Sequence, residues 1–361
     1  MVTISVCMIV KNEEDVLERS LGCASQIADE IIVVDTGSQD RTKEIAQSYT
    51  DKVYDFVWCD DFSKARNYAF SKATMDYCMW LDADDVILEE DIRKLIRLKQ
   101  YLNKDVNIVM CKYHTSFDED GQPVFTYYRE RIVRNSPDNQ WQGVIHEVIP
   151  LTGKIIYEDI AITHRKEHEG NPMRNLMIFE GMIKQGKTLD PREQFYYARE
   201  LYYHARYQES INVLEHFLDD KLGWIENNID ACEIMGYCYE MLEEKDKALE
   251  SYFRSFTYDL PRAELCCDIG KHFFDEGSYY KAIYWYRQAL NCTRNDTSGA
   301  FVKTDCYGYI PWLQLCVCHY QVGNIEEAIH CNDEAANYKP NSAAVKQNKE
   351  FFSTLSSSDH P

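Results

Sequence analysis

The residues able to do chemistry in this chain sit where apolar runs end. Tyr77-Cys78-Met79-Trp80-Leu81 reads as a buried strand and runs straight into Asp82-Ala83-Asp84-Asp85. Carboxylates clustered at a strand's carboxyl end repel one another unless a cation neutralises them. Mn²⁺ or Mg²⁺ takes carboxylate oxygens and leaves positions for substrate phosphates. In open α/β sheets that same edge is where ligands bind. Taken alone, a D-x-D pattern suits a helix cap or a solvated turn equally well. Its place behind an apolar strand is what points to a metal and nucleotide site. A second acid, Asp35, ends the apolar run in Val33-Val34-Asp35-Thr36-Gly37-Ser38. Gly37 permits a tight turn and Ser38 or Asp40 can cap the next helix, a complete role without any ligand. Asp35 and Asp82 nevertheless end different strands at one edge, so both can face one crevice and read a nucleobase and a ribose hydroxyl.

Such acids need a parallel sheet beneath them, and the first 100 residues supply its pattern. Ile4–Val10, Glu30–Val34, Lys52–Val57 and Tyr77–Leu81 read as strands. Between them lie the amphipathic stretches Glu13–Ala24, Arg41–Tyr49 and Phe62–Ala73. This alternation predicts a doubly wound α/β unit. From residue 106 the period changes: Val106–His114 and Pro123–Arg134 flank the turn Asp118–Gly121, which predicts a hairpin added to the sheet. Arg129, Arg131 and Arg134 on its second strand either gather on a phosphate or form a solvated face. Short β segments at Lys154–Tyr157 and Ile160–His164 close the domain.

Five motifs in order then carry a resemblance. They are Cys7-Met8-Ile9-Val10-Lys11-Asn12-Glu13-Glu14, the Asp35 turn, Asp60-Asp61-Phe62-Ser63-Lys64-Ala65-Arg66-Asn67, Asp82-Ala83-Asp84-Asp85, and Trp141-Gln142-Gly143-Val144-Ile145-His146-Glu147. Across residues 1 to 165 this order resembles the family 2 glycosyltransferases. The resemblance implies a GT-A fold, Rossmann-like with a mixed sheet, together with a UDP-sugar donor, a divalent cation (Mn²⁺ or Mg²⁺) and inversion at the anomeric carbon. Carried over by position, Ile9, Val10, Lys11 and Glu13 belong to the donor site. Asp35 reads the uracil with Arg66 nearby, and Asp82 and Ala83 meet the ribose. Asp84 holds the cation, and His164 is a further ligand to it. Lys11 stands where many relatives have a Tyr that stacks on the base. An acceptor must also lose a proton as it attacks, which calls for a base beyond the metal. The resemblance favours Glu147, with His146 as its rival. Trp141 is expected to wall the acceptor or sugar pocket. The competing reading makes Gly143–Val148 one more strand, with His146 and Glu147 alternating in and out.

After Glu169-Gly170-Asn171-Pro172 the pattern is helical throughout. Gly236, Tyr239, Ala248 and Tyr252 recur 34 residues later as Gly270, Phe273, Ala282 and Tyr286. That period is the tetratricopeptide signature. A weaker copy precedes it at Ala198, Leu201, Ser210 and Leu214, and another follows at Trp312, Leu315, Ala328, Ala335 and Pro340. The expected organisation is therefore a GT-A domain over 1–168, a helical linker over 169–192, an all-α repeat solenoid over 193–350 and a disordered tail over 351–361. The pairing resembles bacterial glycosyltransferases that attach sugar to a bacteriocin peptide cysteine. It implies a peptide or protein acceptor recruited by the repeats, the alternatives being a cell-surface glycan precursor or a non-catalytic scaffold.

Composition sets the outer limits. In 361 residues, 39 Lys and Arg face 60 Asp and Glu, a net charge of -21 that argues against a nucleic-acid partner. The longest apolar stretch, Ile4–Val10, is far too short to span a bilayer, so the chain reads as cytoplasmic. None of the 14 cysteines forms a C-x-x-C pair, which reads as buried reduced thiols rather than a zinc site. A homodimer is left open, as is the choice among Glc, GlcNAc and Gal.

Overall fold

Two-residue periodicity decides where the sheet forms and what it separates. In the computed structural model, which describes residues 1–167 and 171–358, strand β1 (Ile4–Val10) sends Ile4, Val6, Met8 and Val10 into one hydrophobic cluster and Cys7 into another. β2 (Glu30–Asp35) divides in the same way, Ile31 and Val33 against Ile32 and Val34. β4 (Tyr77–Trp80) sends Tyr77 and Met79 to the first cluster and Cys78 and Trp80 to the second. A sheet buried on both faces requires this near-continuous apolar run in each strand.

β1 lies parallel between β2 and β4, and β3 (Val53–Asp55) lies parallel beyond β2. Helices α1 (Leu17–Ile27), α2 (Thr42–Tyr49) and α3 (Phe62–Phe70) make the crossovers. Beyond β4 the sheet becomes mixed. With β5 (Asp85–Val86), β6 (Val106–Phe117), β7 (Pro123–Arg134) and β8 (Lys154–His164), the order is β3-β2-β1-β4-β7-β6-β8-β5. Register places Val10 opposite Asp35 and Cys7 opposite Trp80, so the carboxyl ends of β1, β2 and β4 share one edge. α4 (Glu89–Tyr101) and α5 (Arg174–Lys184) complete this unit, which comprises Met1–Ser116 and Thr126–Lys187.

Several boundaries differ from the sequence reading. α1 begins at Leu17 because Asn12 takes a left-handed conformation (φ 55°) and residues 13–16 form a turn. Lys154–His164 is one strand, with a register shift opposite Cys111 and Lys112 rather than a break. Gly143–Val148 is not a strand. Gly143 (φ 92°) and His146 (φ 51°) are left-handed, and a single bridge joins Gln142 to Val148.

The second unit, Phe117–Phe125 with Thr188–Pro361, is helical apart from the hairpin tip and β9 (Val302–Lys303). Its helices pair in sequence: α6 (Pro191–Tyr203) with α7 (Tyr207–Asp220), α8 (Ile225–Met241) with α9 (Lys245–Arg254), α10 (Ala263–Asp275) with α11 (Tyr279–Asn291), and α12 (Tyr309–Gln321) with α13 (Ile325–Tyr338). The 34-residue recurrence has a steric cause. A Cβ on Gly236 would stand 2.0 Å from the Tyr252 ring, and one on Gly270 would stand 2.9 Å from Tyr286. Each glycine is thus the notch into which the next helix's tyrosine fits.

The chain divides between Lys187 and Thr188, because α5 buries Leu176, Phe179 and Met182 within the first unit. The expected boundary at 168–169 lies outside the described residues. Residues 351–358, expected to be disordered, instead belong to α14 (Ala343–Ser358), with Phe352 buried in the repeat core; 359–361 lie outside the described residues. No helix among the described residues is long and apolar enough to cross a membrane.

Candidate active site

Two loops at the carboxyl edge hold each other in place. The Asn12 N–H donates to Ser38 Oγ (3.0 Å) and the Gln39 N–H to Asn12 Oδ1 (2.8 Å). The Glu13 N–H donates to Thr42 Oγ1 (2.7 Å) and the Glu14 N–H to Asp40 Oδ2 (3.2 Å). Asp35 is buried, and its Oδ2 accepts from the Gly37 and Ser38 N–H groups, each at 3.0 Å. That carboxylate therefore closes its own turn, the ligand-free role open to it from sequence. Val10 and Ala83 are packed in the first core, so any ligand contact they make is through backbone. Lys11 is exposed and Ile9 half-buried beside them.

The chain leaves β4 through the turn Asp82–Asp85, which the Asp85 N–H closes by donating to the Asp82 carbonyl at 3.1 Å. Ser20 Oγ on α1 donates to the same carbonyl at 3.1 Å. Arg66 on α3 meets the Asp82 side chain: Nη2 donates to Asp82 Oδ1 at 2.8 Å while Nε donates to Glu147 Oε1 at 2.6 Å. One buried guanidinium thus joins two acids 65 residues apart in sequence. Burial opposes the charge on Arg66, but Asp82 and Glu147 outweigh it and raise its pKa. Burial likewise works against the Asp82 carboxylate, and Arg66 more than reverses this, holding its pKa below the usual range.

Trp141 does not wall a pocket. It is 2% exposed and packs edge-on against Trp80 (5.4 Å) and Phe70 (6.0 Å). Asn67 fixes its backbone from both sides, accepting from the Trp141 N–H at 2.8 Å and donating to the Trp141 carbonyl at 3.0 Å. The Arg66 guanidinium lies over the Trp141 and Trp80 rings at 4.9 and 5.0 Å. Trp141 is thus a floor that orients Arg66. The two candidate bases have different partners: His146 stacks on Phe179 of α5 (6.3 Å), whereas Glu147 is tied to Asp82 through Arg66.

His164 ends β8 beside the acidic turn, opposite Asp85 in register. Its Nδ1 lies 3.3 Å from Asp84 Oδ1, 3.5 Å from Asp85 Oδ1 and 3.0 Å from Tyr113 Oη. Burial disfavours the imidazolium, but the two carboxylates dominate and the pKa is raised to about 10. Asp84, Asp85 and His164 thus form a group compact enough to hold a cation. Asp85 is already engaged: fully buried, it accepts from Arg131 Nη1 (2.9 Å), Tyr113 Oη (2.8 Å) and the Asp82 N–H (3.2 Å). Asp84 and His164, both partly exposed, are left to face a ligand.

Sequence reasoning did not find the pair Asp85 and Arg131. Arg131 lies 3.4 Å from the Trp80 ring centroid with no exposed surface, so it neither faces solvent nor reaches a phosphate. The signal was the apolar Ile132-Val133 directly after it. Arg129 pairs with Glu130 (3.1 Å) and donates to the Glu147 carbonyl (3.2 Å), while Arg134 donates to the Lys104 carbonyl. A second grouping, His319, Glu327 and Cys331 on α12 and α13, is close enough for a metal. Arg287 already meets Glu327 at 3.3 Å and His319 at 3.4 Å there.

Residues 5–153 match the model of the family described as glycosyl transferase family 2. This is a family 2 glycosyltransferase domain. The transferase domain therefore contains Arg66, the acidic turn and Glu147, and His164 follows just beyond the matched span. Residues 263–357 match the family described as the prolyl 4-hydroxylase peptide-substrate-binding domain, a tetratricopeptide-type repeat. A TPR repeat-containing protein of Synechococcus elongatus is 36% identical over 151 residues, covering 41% of this chain and 36% of that one. The SPbeta prophage-derived glycosyltransferase SunS of Bacillus subtilis is 25% identical over 285 residues, 74% of this chain and 65% of the relative. The chain thus spans about a third of one relative's length and just under two thirds of the other's. A crystal structure of Mycobacterium tuberculosis glucosyl-3-phosphoglycerate synthase, in complex with Mn²⁺, UDP-glucose and phosphoglyceric acid, is 22% identical and covers 31% of this chain and 44% of that one. Its TM-score of 0.27 is too low to bear on this chain's chemistry.

Proposed function

We propose that this chain is a metal-dependent, inverting glycosyltransferase that moves a hexose or N-acetylhexosamine from a UDP-sugar to a peptide or protein side chain received by the repeats. The observation that carries this reading is Arg66, whose guanidinium grips Asp82 on the donor side and Glu147 on the acceptor side within one transferase domain. Asp84 and His164 are the groups that would hold the cation. A carboxylate oxygen with an imidazole nitrogen suits Mn²⁺ or Mg²⁺, and Asp85 stays committed to Arg131 and Tyr113. When bound, the cation supplies charge neutralisation for the departing diphosphate.

Glu147 takes the proton of the acceptor hydroxyl or thiol while its oxygen or sulfur attacks the anomeric carbon opposite the nucleotide. The sugar–phosphate bond breaks on the other face, so the configuration inverts. Arg66 holds Glu147 through Oε1 and fixes the carboxylate's orientation for that transfer. His146, engaged with Phe179, is the weaker candidate for the base. The 14 unbridged cysteines support a reducing compartment, which we take to be the cytoplasm.

Titration calorimetry of the full chain with UDP-Glc, UDP-GlcNAc, UDP-Gal and GDP-Man, with and without Mn²⁺, tests this reading. Binding heat is expected for a UDP-sugar only with Mn²⁺, and is expected to vanish in Asp84→Ala. Equal binding by Asp84→Ala would remove the cation assignment, and no heat with any of the four would remove the donor.

A further inference from the structure

The repeats carry a groove that their own chain fills. Phe301-Val302-Lys303, from the insertion between α11 and α12, runs as an extended strap against the first helices of three successive pairs. Lys303 Nζ donates to Glu233 Oε1 (2.9 Å) and Tyr237 Oη (2.8 Å) on α8. Tyr237 Oη in turn donates to Asp268 Oδ2 on α10 (2.8 Å). The Lys303 main-chain N–H donates to Glu264 Oε1, also on α10, at 3.0 Å. Phe301 lies beneath the Arg199 guanidinium of α6, 4.4 Å from ring centroid to Cζ.

This is how a groove would hold a foreign peptide: an extended backbone, one N–H on a carboxylate, one cation in an acid pocket and one aromatic ring against a guanidinium. Carboxylates gathered on half-buried helix faces are costly unless a cation meets them, and Lys303 is the cation the strap brings. Even with Lys303 in place, burial and the Glu233 charge push the Asp268 carboxyl well above the usual carboxylate range, and Lys303 works in the opposite direction. Phe301 and Val302 further border a cavity of 540 Å³ whose other walls include Tyr284, Trp285 and Tyr307.

We propose that the groove across α6, α8 and α10 binds an extended acceptor segment carrying a cationic side chain beside a large apolar one, and that Phe301–Lys303 holds its place until that segment displaces it. The proposal rests on the repeats being the acceptor-binding part of a glycosyltransferase, and it names the acceptor's chemistry.

The test uses the full chain and a fluorescein-labelled peptide of the strap's own sequence, Ser298–Asp305. By fluorescence anisotropy, the double variant Phe301→Ala/Lys303→Ala is expected to bind the peptide at least roughly tenfold more tightly than the unmodified chain, the worth of one charge-assisted contact. Adding Glu233→Gln should remove that gain, and a peptide with its lysine changed to glutamate should not compete. In the unmodified chain, hydrogen exchange at amides 300–304 should accelerate when the peptide saturates the groove, a readout that does not depend on the variants folding. No acceleration with peptide bound, or no gain in a folded double variant, would make the strap a fixed structural piece and overturn the proposal. UDP-sugar calorimetry on the same samples separates the two ideas. Donor binding without peptide binding sinks the groove alone, and peptide binding without donor binding sinks the transferase reading alone.

Discussion

Arg66→Ala would leave Asp82 and Glu147 without the guanidinium that now joins them, and would open a gap above Trp141 and Trp80. Removing one member of a buried charge cluster costs about 3 to 5 kcal/mol, so the variant should unfold at clearly lower urea. Arg66→Lys separates geometry from charge. An ammonium keeps the positive charge but cannot place two donors in the fork that reaches both acids. It is therefore expected to fold while kcat/KM for transfer falls roughly a hundredfold, the scale of a misplaced catalytic group. Unchanged transfer by Arg66→Lys would show that the bridge does not set Glu147. At this scale Asp35 and Asp82 were legible because each stands at the end of an apolar strand, whereas Glu147, in a loop with left-handed Gly143 and His146, was reached only through the resemblance. Trp141 and Arg131 were misread, since their burial depends on distant partners: Trp80 and Phe70 for the first, Trp80 and Asp85 for the second. No local spacing carries that information.

Glu30, at the start of β2, ties several elements together. Its carboxylate accepts from Ser5 Oγ on β1, from Lys52 Nζ before β3 and from the Thr74 N–H and hydroxyl (2.9 Å each) before β4. Burial alone would raise its pKa, but these partners lower it to about 2 from 4.5. A depressed carboxyl contributes stability that is fully present above about pH 4.5 and is lost as pH falls toward 2. Glu30→Gln should therefore cost at most about 3 kcal/mol at pH 7. The gap to the unmodified chain should narrow below pH 4.5, and urea titrations at each pH read it directly. A gap independent of pH would mean the charge does not matter there. In the repeats the matching device is steric. Gly236→Ala would drive a methyl into the buried Tyr252 ring and should cost about 1 to 3 kcal/mol or more. Gly270→Ala, with a looser approach to Tyr286, should cost less. Denaturant melts that reverse this order would refute the packing account. The strands and the repeats could be read from sequence because their periods, two residues and 34, are written into the apolar pattern. β5 could not, because two residues carry no period. α1 began late because Asn12 turns left-handed to meet Ser38 and Gln39.

Across the whole chain the acid excess is even, -10 over residues 1–165 and -11 over the rest. Neither end is a charged tail, so the field works against polyanions of every kind and in favour of cationic partners. The nucleoside diphosphate sugar of the proposed reaction is an anion and would enter against this field, which is a physical reason for the proposed cation beside Asp84 and His164. A lysine-bearing acceptor meets the opposite situation, because the field draws it in before any contact forms. Steering of this kind acts through the Debye length and so fades with salt. Stopped-flow association of a strap-sequence peptide ending at Thr304 and capped at both ends, so that the lysine is its one charge, should slow about tenfold between roughly 20 and 500 mM NaCl. The same peptide with its lysine changed to glutamine should slow less than about twofold. Dissociation rates, set by the local contacts to Glu233 and Glu264, should change far less for both peptides. Equal salt slopes for the two on-rates would show that the acid excess keeps the chain soluble without selecting its partner.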